Sequence, residues 1–398
     1  MSRDARSDFF LLTAWQSAPF IAEAMRSIML QYDSRASFRD HARILILDDA
    51  SSDRTVEVIA EAASALGMPC ELLQSDVNLG IGRQRQRAME WLGGASVRPG
   101  DTVTFVDGDD ILLRGTLDRR LRVLRDGHRG RSIQAVGGQC IMMEHVSPEA
   151  ASQAWPPVPD ACLQYGLFDA FPVCPEVEAI ASLFECTFYA SNCTMDAFAA
   201  LYADNGFSDS RLCEDWIFFA QDQSLSKLNL PEPTIIYRRH ATSLTSAEGP
   251  MIHSPTRPLG ELDVKARGIA QSAWLARLGL AATPRMLELI NLVGFLVFSF
   301  AMDAAGAITR DCRNQSLSWF KSRALYRHPE SVQWHDGVRD EVVALFDAIA
   351  GANSAVSGHA VAVHPPRLLR AFLDRMLMEA DRRVDPVPAS APVAVGVS

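Results

Sequence analysis

Residues 102–110 read Thr-Val-Thr-Phe-Val-Asp-Gly-Asp-Asp, a short apolar run that ends in three carboxylates within four positions. Val103, Phe105 and Val106 have the β-branched and aromatic character of a buried strand, and Gly108 lets the chain turn sharply just beyond it. The expected strand delivers Asp107, Asp109 and Asp110 to its carboxyl end, the edge at which open α/β sheets bind ligands. Two carboxylates about 4 Å apart repel by roughly 4 kcal/mol at an effective dielectric near 20. Such a cluster calls for a proton, an arginine or a divalent cation, and its oxygen-rich character suits Mg2+ or Mn2+. Taken alone, the same residues also read as a solvated acidic turn.

The pattern repeats upstream, where Ile44-Leu45-Ile46-Leu47 runs into Asp48-Asp49-Ala50-Ser51-Ser52-Asp53-Arg54-Thr55. Four consecutive aliphatic residues between polar turn signals suit a strand buried on both faces, as in a parallel sheet. Ser51, Ser52 or Asp53 can cap the helix that follows. From Val56 its apolar positions recur at Ile59, Ala60, Ala63 and Leu66, and Gly67 lies where it would stop. Asp53 reads most simply as a cap. Asp48 and Asp49 are not needed to end the strand, so at least one is expected to face a ligand.

Asn78-Leu79-Gly80-Ile81-Gly82 precedes Arg83-Gln84-Arg85-Gln86-Arg87-Ala88-Met89-Glu90-Trp91-Leu92. The glycines free the backbone ahead of a helix in which Ile81, Ala88, Trp91 and Leu92 share a face. Three arginines fill its first turns, where cations oppose the helix macrodipole. A phosphate nearby would resolve the conflict; a solvated basic face is the plainer alternative, and which of Arg83, Arg85 and Arg87 meets phosphate stays open. Further along, Glu214 and Asp215 open an apolar helix with Trp216, Phe219 and Ala220 as its anchors. At that positive end Asp215 either caps the helix or, beside a substrate hydroxyl, serves as a general base.

Taken in order, these segments resemble the family 2 inverting glycosyltransferases, enzymes of the GT-A fold: an α/β architecture with a Rossmann-like mixed, mostly parallel sheet flanked by helices. The resemblance covers residues 9–246. Residues 9–16, Phe-Phe-Leu-Leu-Thr-Ala-Trp-Gln, and 20–28, Phe-Ile-Ala-Glu-Ala-Met-Arg-Ser-Ile, look like the family's opening strand, nucleotide-facing loop and first helix. The loop stands where Pro-Thr-Tyr-Asn is usual, which implies that Thr13 and Trp15 face the nucleotide sugar. Asp48-Asp49-Ala50-Ser51-Ser52-Asp53 is similar to Asp-Asp-Gly-Ser-Thr-Asp, and this implies Asp49 at the uracil imide. Arg85 falls on the arginine of the family's Ala-Arg-Asn, with Gln86 in place of the asparagine.

Asp107-Gly108-Asp109 matches the Asp-x-Asp signature, which implies Asp107 at the ribose or metal, Gly108 beside the nucleotide sugar and Asp109 on the metal, with Asp110 as the extra aspartate. Glu214-Asp215 matches the family's acidic pair, with Asp215 as catalytic base and Glu214 near the donor, and Gly206-Phe207 matches the Gly-Phe ahead of it. Residues 237–245, Tyr-Arg-Arg-His-Ala-Thr-Ser-Leu-Thr, look like Tyr-Arg-x-His-x-x-Ser-x-Ser. There His240 completes the metal shell or touches the diphosphate, unless it is a structural surface histidine.

The resemblance implies metal-dependent inverting transfer, with Mn2+ or Mg2+, of a sugar from a nucleoside diphosphate sugar, UDP-sugars favoured, to an acceptor hydroxyl or other nucleophile. In-line attack at the anomeric carbon needs a base on one side and charge neutralisation on the other. A saccharide, lipid-linked sugar, protein, natural product or modified nucleobase all remain open as acceptor. Two other readings stand beside it: a nucleotidyltransferase on a similar sheet, releasing pyrophosphate, and a catalytically silent GT-A-like scaffold. The intact Asp107, Asp109 and Asp215 argue against the scaffold.

The chain of 398 residues is long enough for two domains. Its net charge of −10 gives no support to nonspecific nucleic-acid binding. Eight cysteines show no close zinc-type spacing and read as free thiols in a reducing cytoplasm. Arg3, Asp4, Arg6 and Asp8 interrupt any signal peptide, and the apolar run 289–302 is too short to span a bilayer. Residues 144–176, rich in proline, read as a long irregular excursion suited to a lid or acceptor wall. The expected organisation is a catalytic domain over 1–250, a helical module over 258–384 and a disordered tail over 385–398. For the helical module, acceptor recognition, homodimerisation and peripheral membrane docking are all open.

Overall fold

The computed structural model describes residues 6–128, 130, 132–143, 163–164, 188–203, 206–209, 214–221, 225–238, 240, 243 and 344. The chain divides into two compact units, Met1–Phe295 and Leu296–Ser398, and every described residue except Ala344 belongs to the first. The helical module apart from Ala344, the tail, the apolar run 289–302 and most of the 144–176 excursion lie outside the described residues. From that excursion only Leu163–Gln164 is described, as a two-residue strand.

In chain order the elements are β1 (Asp8–Ala14), α1 (Ile21–Met29), α2 (Arg35–His41), β2 (Ala42–Asp48), α3 (Thr55–Leu66), β3 (Glu71–Gln74), α4 (Ile81–Gly94), β4 (Thr102–Asp107), β5 (Ile111–Leu112), α5 (Thr116–Asp126), β6 (Ala135–Met143) and β7 (Leu163–Gln164). A short 3-10 turn (Ala190–Asn192) then leads to β8 (Thr194–Asp196), α6 (Ala197–Leu201), α7 (Glu214–Gln221) and β9 (Lys227–Arg238). They form one sheet in the order β3-β2-β1-β4-β8-β6-β9-β5, with β7 paired to β6. β3, β2, β1 and β4 run parallel, β8 is antiparallel to both β4 and β6, β9 is parallel to β6, and β5 is antiparallel to β9.

Every residue of β1 is buried because both faces of the sheet are covered. Successive side chains of a strand point to opposite faces. Phe9 and Leu11 accordingly pack with Leu45, Leu47, Val103 and Phe105 against Ala88, Met89 and Leu92 of α4 and Phe218 and Phe219 of α7. Phe10 and Leu12 face the other way, with Ile44, Ile46 and Val106, onto Ile21, Ala24, Met25 and Ile28 of α1 and Ile59 of α3. Full burial of one such side chain stabilises by roughly 1.5–3 kcal/mol, so this paired layering is the main reason the aliphatic runs become central parallel strands.

Two helix faces differ from expectation. On α3 the buried positions are Thr55, Ile59 and Ala62, while Ala60 is exposed. On α4 the inner face consists of Gly82, Gln84, Arg85, Ala88, Met89 and Leu92, and Ile81 and Trp91 are only half-buried. A glutamine and an arginine face inward there because polar partners await them. Gly67 ends α3 in the left-handed region, φ 60°, as expected of a glycine stop. The residue flanking the start of α3 is Arg54, and Asp53 Oδ1 accepts the Thr55 N–H from just outside it at 3.0 Å.

Candidate active site

The strand order runs outward from β1 to β2 and β3 on one side and jumps to β4 on the other, so the carboxyl ends of β1 and β4 flank a crevice of the kind that binds ligands. Thr13 and Asp107 are register partners there. Thr13 Oγ1 donates to Asp107 Oδ1 at 2.9 Å, and Gly108 N donates to Thr13 O at 2.8 Å. That close approach explains Gly108. Its φ is not in the left-handed region, so the expected sharp turn is not what requires a glycine. A Cβ would lie 2.9 Å from Ile21 Cδ1 and 3.0 Å from Thr13 O, and the position has no room for it.

Beyond Gly108, Asp109 Oδ2 lies 3.1 Å from His240 Nε2. The imidazole stacks on Phe20 with ring centroids 4.5 Å apart, and Arg238 covers Phe20 at 4.9 Å. Arg238 also donates to Asp109 O and Phe20 O and pairs with Glu23 of α1. The acidic turn is thereby tied to both α1 and the end of β9. Asp110 is fully buried; Oδ1 accepts the Arg238 N–H at 3.2 Å, and Oδ2 has no partner among the described residues. Burial first, then the neighbouring Asp109 and Asp107, push its carboxyl well above the usual range.

The loop after β1 is clasped to the loop after β2. Gln16 N donates to Ser51 Oγ at 2.9 Å and Gln16 Nε2 to Ser52 Oγ at 2.8 Å, while Gln16 Oε1 accepts from Ser52 N and Asp53 N. Ser17 N donates to Thr55 Oγ1 and Ala18 N to Asp53 Oδ2. Gln16 and Ala50 hold positive φ values of 50° and 59°, the only non-glycine residues described that do so. Trp15, in the loop after β1, is 44% exposed.

Asp49 is buried just beyond β2, and its carboxylate faces the start of α4. Its Oδ1 accepts from Leu79 N at 2.7 Å and Gln84 Nε2 at 2.5 Å, and its Oδ2 accepts from Gly80 N at 2.8 Å. Asp48 Oδ2 accepts from Ser51 N, and Asp48 Oδ1 is buried without a partner among the described residues. Asp49 thus supplies a negative charge at a helix N-terminus that bears three arginines.

Those arginines have separate fates. Arg83 reaches Asp209 at 3.3 Å on the surface, and Arg87 donates to Ser75 and Gln84. Arg85 is buried, donating Nη2 to Asp107 Oδ1 at 2.7 Å and Nη1 to Glu214 Oε1, with its guanidinium 5.9 Å from the centre of the Phe207 ring. Gln86, standing where the family's asparagine is usual, accepts the Phe207 N–H at 2.9 Å. Burial works against the Arg85 charge, but Asp107, Glu214 and Asp215 outweigh it and hold the guanidinium protonated. Burial likewise pushes the Glu214 carboxyl up to about 8, against the pull of Arg85. Asp215 is raised for the same first reason; its Oδ1 accepts from Trp216 N at 2.7 Å and its Oδ2 from Ala190 N at 3.4 Å. Trp216 and Phe219 anchor α7 in the interior as expected.

The edge therefore gathers Thr13, Arg85, Asp107, Gly108 and Glu214 in one bonded chain, Asp215 beside it, and Asp109 with His240 across the turn. Asp49 sits apart, at the α4 start. Among the described residues no three His, Cys, Asp or Glu side chains close into a ready metal cage. Asp109 and His240 still offer an oxygen and a nitrogen within reach of each other, a donor set that suits Mn2+, or Mg2+ with most of its shell left to water and phosphate oxygens. Gln16, Gln84, Glu23 and Arg238 contribute to the site without having been singled out from the sequence. Each lies inside a segment quoted above, but its own role in the site depends on partners from other elements.

A sheet of this order, with carboxylates collected where the order reverses, is the GT-A architecture of glycosyltransferases. Residues 10–140 match the family model described as "Glycosyl transferase family 2". No curated protein matches the chain. Similar solved structures include Staphylococcus aureus TarS 1-349 in complex with UDP-GlcNAc, at 16% identity over 89% of this chain and 93% of that one with a TM-score of 0.48. Mannosyltransferase PcManGT from Pyrobaculum calidifontis, in complex with GDP-Man and Mn2+, is 14% identical over 96% and 87% with a TM-score of 0.44. Glucosyl-3-phosphoglycerate synthase from Mycobacterium tuberculosis, in complex with Mn2+, UDP and glucosyl-3-phosphoglycerate, is 18% identical over 69% and 81% with a TM-score of 0.38.

Proposed function

We propose that the chain is a metal-dependent inverting glycosyltransferase that moves a sugar from a nucleoside diphosphate sugar, with UDP-sugars favoured, to an acceptor nucleophile. The observation that carries this reading is the buried Arg85 guanidinium shared between Asp107 at the end of β4 and Glu214 at the start of α7. It fixes the metal-type carboxylate turn and the acidic helix start, two groups more than a hundred residues apart, on one scaffold. In-line displacement needs a base and a stabilised leaving group at a set separation.

In this reading Asp107, Asp109 and His240 hold Mn2+ or Mg2+, which when bound neutralises charge on the departing diphosphate. The Trp15 ring is free to lie against the base. A carboxylate accepts about four hydrogen bonds, and Asp49 already takes three from Leu79, Gly80 and Gln84. One acceptor position is left, enough for the uracil imide N–H. Asp215 takes the proton of the acceptor nucleophile at its carboxylate, and burial raises its basicity toward the working pH. Among the described residues no helix is long and apolar enough to cross a membrane.

Screening UDP-, GDP- and dTDP-sugars for thermal stabilisation of the full-length chain, with Mn2+ and with chelator, tests the reading. Metal-linked stabilisation by UDP-sugars, with slow release of UDP, is the expected result. Release of pyrophosphate from a nucleoside triphosphate would instead identify a nucleotidyltransferase.

A further inference from the structure

Arg120, a further buried guanidinium, takes no part in the reaction just described. It lies on the inner face of α5, completely buried, and among the described residues it bonds only to neutral oxygens. Nη2 donates to Asn192 O at 2.9 Å and to Asn192 Oδ1, and Nη1 donates to Thr194 Oγ1 at 3.3 Å. Burial pulls Arg120 down to about 10, which still leaves it charged at neutral pH. No carboxylate pairs with it among the described residues, a buried charge held only by neutral groups is costly, and apolar side chains of similar volume often replace buried ions with no loss of stability. Packing alone therefore does not account for an arginine here.

What the guanidinium does that an apolar side chain cannot is grip one end of the Ala190–Asn192 turn. The Asn192 side chain is otherwise saturated: Thr234 Oγ1 donates to its Oδ1 at 2.5 Å, and its Nδ2 donates to Gly138 O and, at 3.4 Å, to Cys140 Sγ. The other end of the same turn points at the site, where Ala190 N–H donates to Asp215 Oδ2. The turn is also fixed on its sheet side, with Phe105 N donating to Cys193 O at 3.3 Å.

We propose that Arg120 is a positioning residue for Asp215: by holding both oxygens of Asn192 it fixes the Ala190–Asn192 turn, and the turn presents the Ala190 N–H that orients the Asp215 carboxylate. The inference rests on Asp215 being the base of the proposed reaction. Arg120 itself touches no reacting atom.

The test uses the full-length chain with UDP-glucose, UDP-N-acetylglucosamine and GDP-mannose, Mn2+ and nucleoside diphosphate release as readout. Arg120→Met, Arg120→Lys and Asn192→Ala are measured alone and combined with Asp215→Asn. Displacing a reacting group by about 1 Å costs up to roughly 100-fold in rate, so kcat should fall by about 10- to 100-fold in Arg120→Met and Asn192→Ala. The donor KM should stay within about twofold, the pattern of an interaction that acts only in the transition state. Arg120→Lys should recover part of the loss, and none of the three should lower turnover further once Asp215 is Asn. Equal losses on the wild-type and Asp215→Asn backgrounds, or unchanged kcat in the folded variants, overturn the inference. If Arg120→Met does not fold, Arg120→Lys and Asn192→Ala decide between these results. Full activity of Asp215→Asn, or no release from any of the three donors, instead overturns the reading of the site on which the inference rests.

Discussion

Arg85 and Glu214, 129 residues apart in the chain, meet in a hydrogen bond from Nη1 to Oε1 with both side chains buried. Burial raises the Glu214 carboxyl from its ordinary value near 4.5 to about 8. An unfolded chain releases this proton near 4.5, whereas the folded chain keeps it until about 8. The stability it contributes is therefore fully present below the unfolded value and is lost as pH rises through the interval. Urea unfolding at pH 5, 6.5 and 8 should show stability falling with pH, and Glu214→Gln should flatten the decline. A wild-type curve that rises over this range would contradict the assignment.

Ala50 holds a φ of 59°. The left-handed region costs an L-residue about 1–2 kcal/mol, more than the roughly 0.5–1 kcal/mol of extra chain entropy that glycine loses on folding. Ala50→Gly should stabilise by up to about 1 kcal/mol in equilibrium unfolding. Gln16 has a similar φ of 50°, but its side chain makes three hydrogen bonds to Ser52 and Asp53. Gln16→Gly should destabilise despite relieving the same strain. Gains of equal size at both positions would show that the clasp contributes nothing.

Nucleotide binding should be metal-linked through the acidic turn. Calorimetry of UDP with the full-length chain should give tighter binding in Mn2+ than in chelator, and Asp109→Ala should abolish the difference. His240→Ala should reduce it by less, because a carboxylate is the harder donor for these ions. Equal UDP affinity with and without metal would remove Asp109 and His240 from a metal shell.

Much of the central sheet is legible in the sequence because its strands are buried on both faces. The runs at 9–12 and 44–47 are continuous apolar segments, 103–106 is broken only by Thr104, all three end in polar residues, and they became β1, β2 and β4. The inner face of α4 was not legible. Gln84 and Arg85 point inward to Asp49, Asp107 and Glu214, partners brought in from other elements, and apolar spacing carries no trace of them. Gly108 was placed correctly but for another reason, since the approach of Thr13 O is a tertiary contact. The far half of the sheet escaped notice for local reasons: β8 is three residues long, and Pro231 and Pro233 interrupt the strand signal of β9. The positive φ of Gln16 had no signal at all, because nothing in a glutamine announces a left-handed backbone.

The central claim, an inverting transferase with Asp215 as its base, is tested most directly by the turnover of Asp215→Asn. This substitution keeps the shape of the side chain and removes its ability to accept the acceptor proton. Affinity for the nucleotide sugar should be nearly unchanged and turnover lower by about 10²- to 10⁴-fold, the usual contribution of general-base catalysis. An Asp215→Asn enzyme with wild-type turnover would contradict the claim.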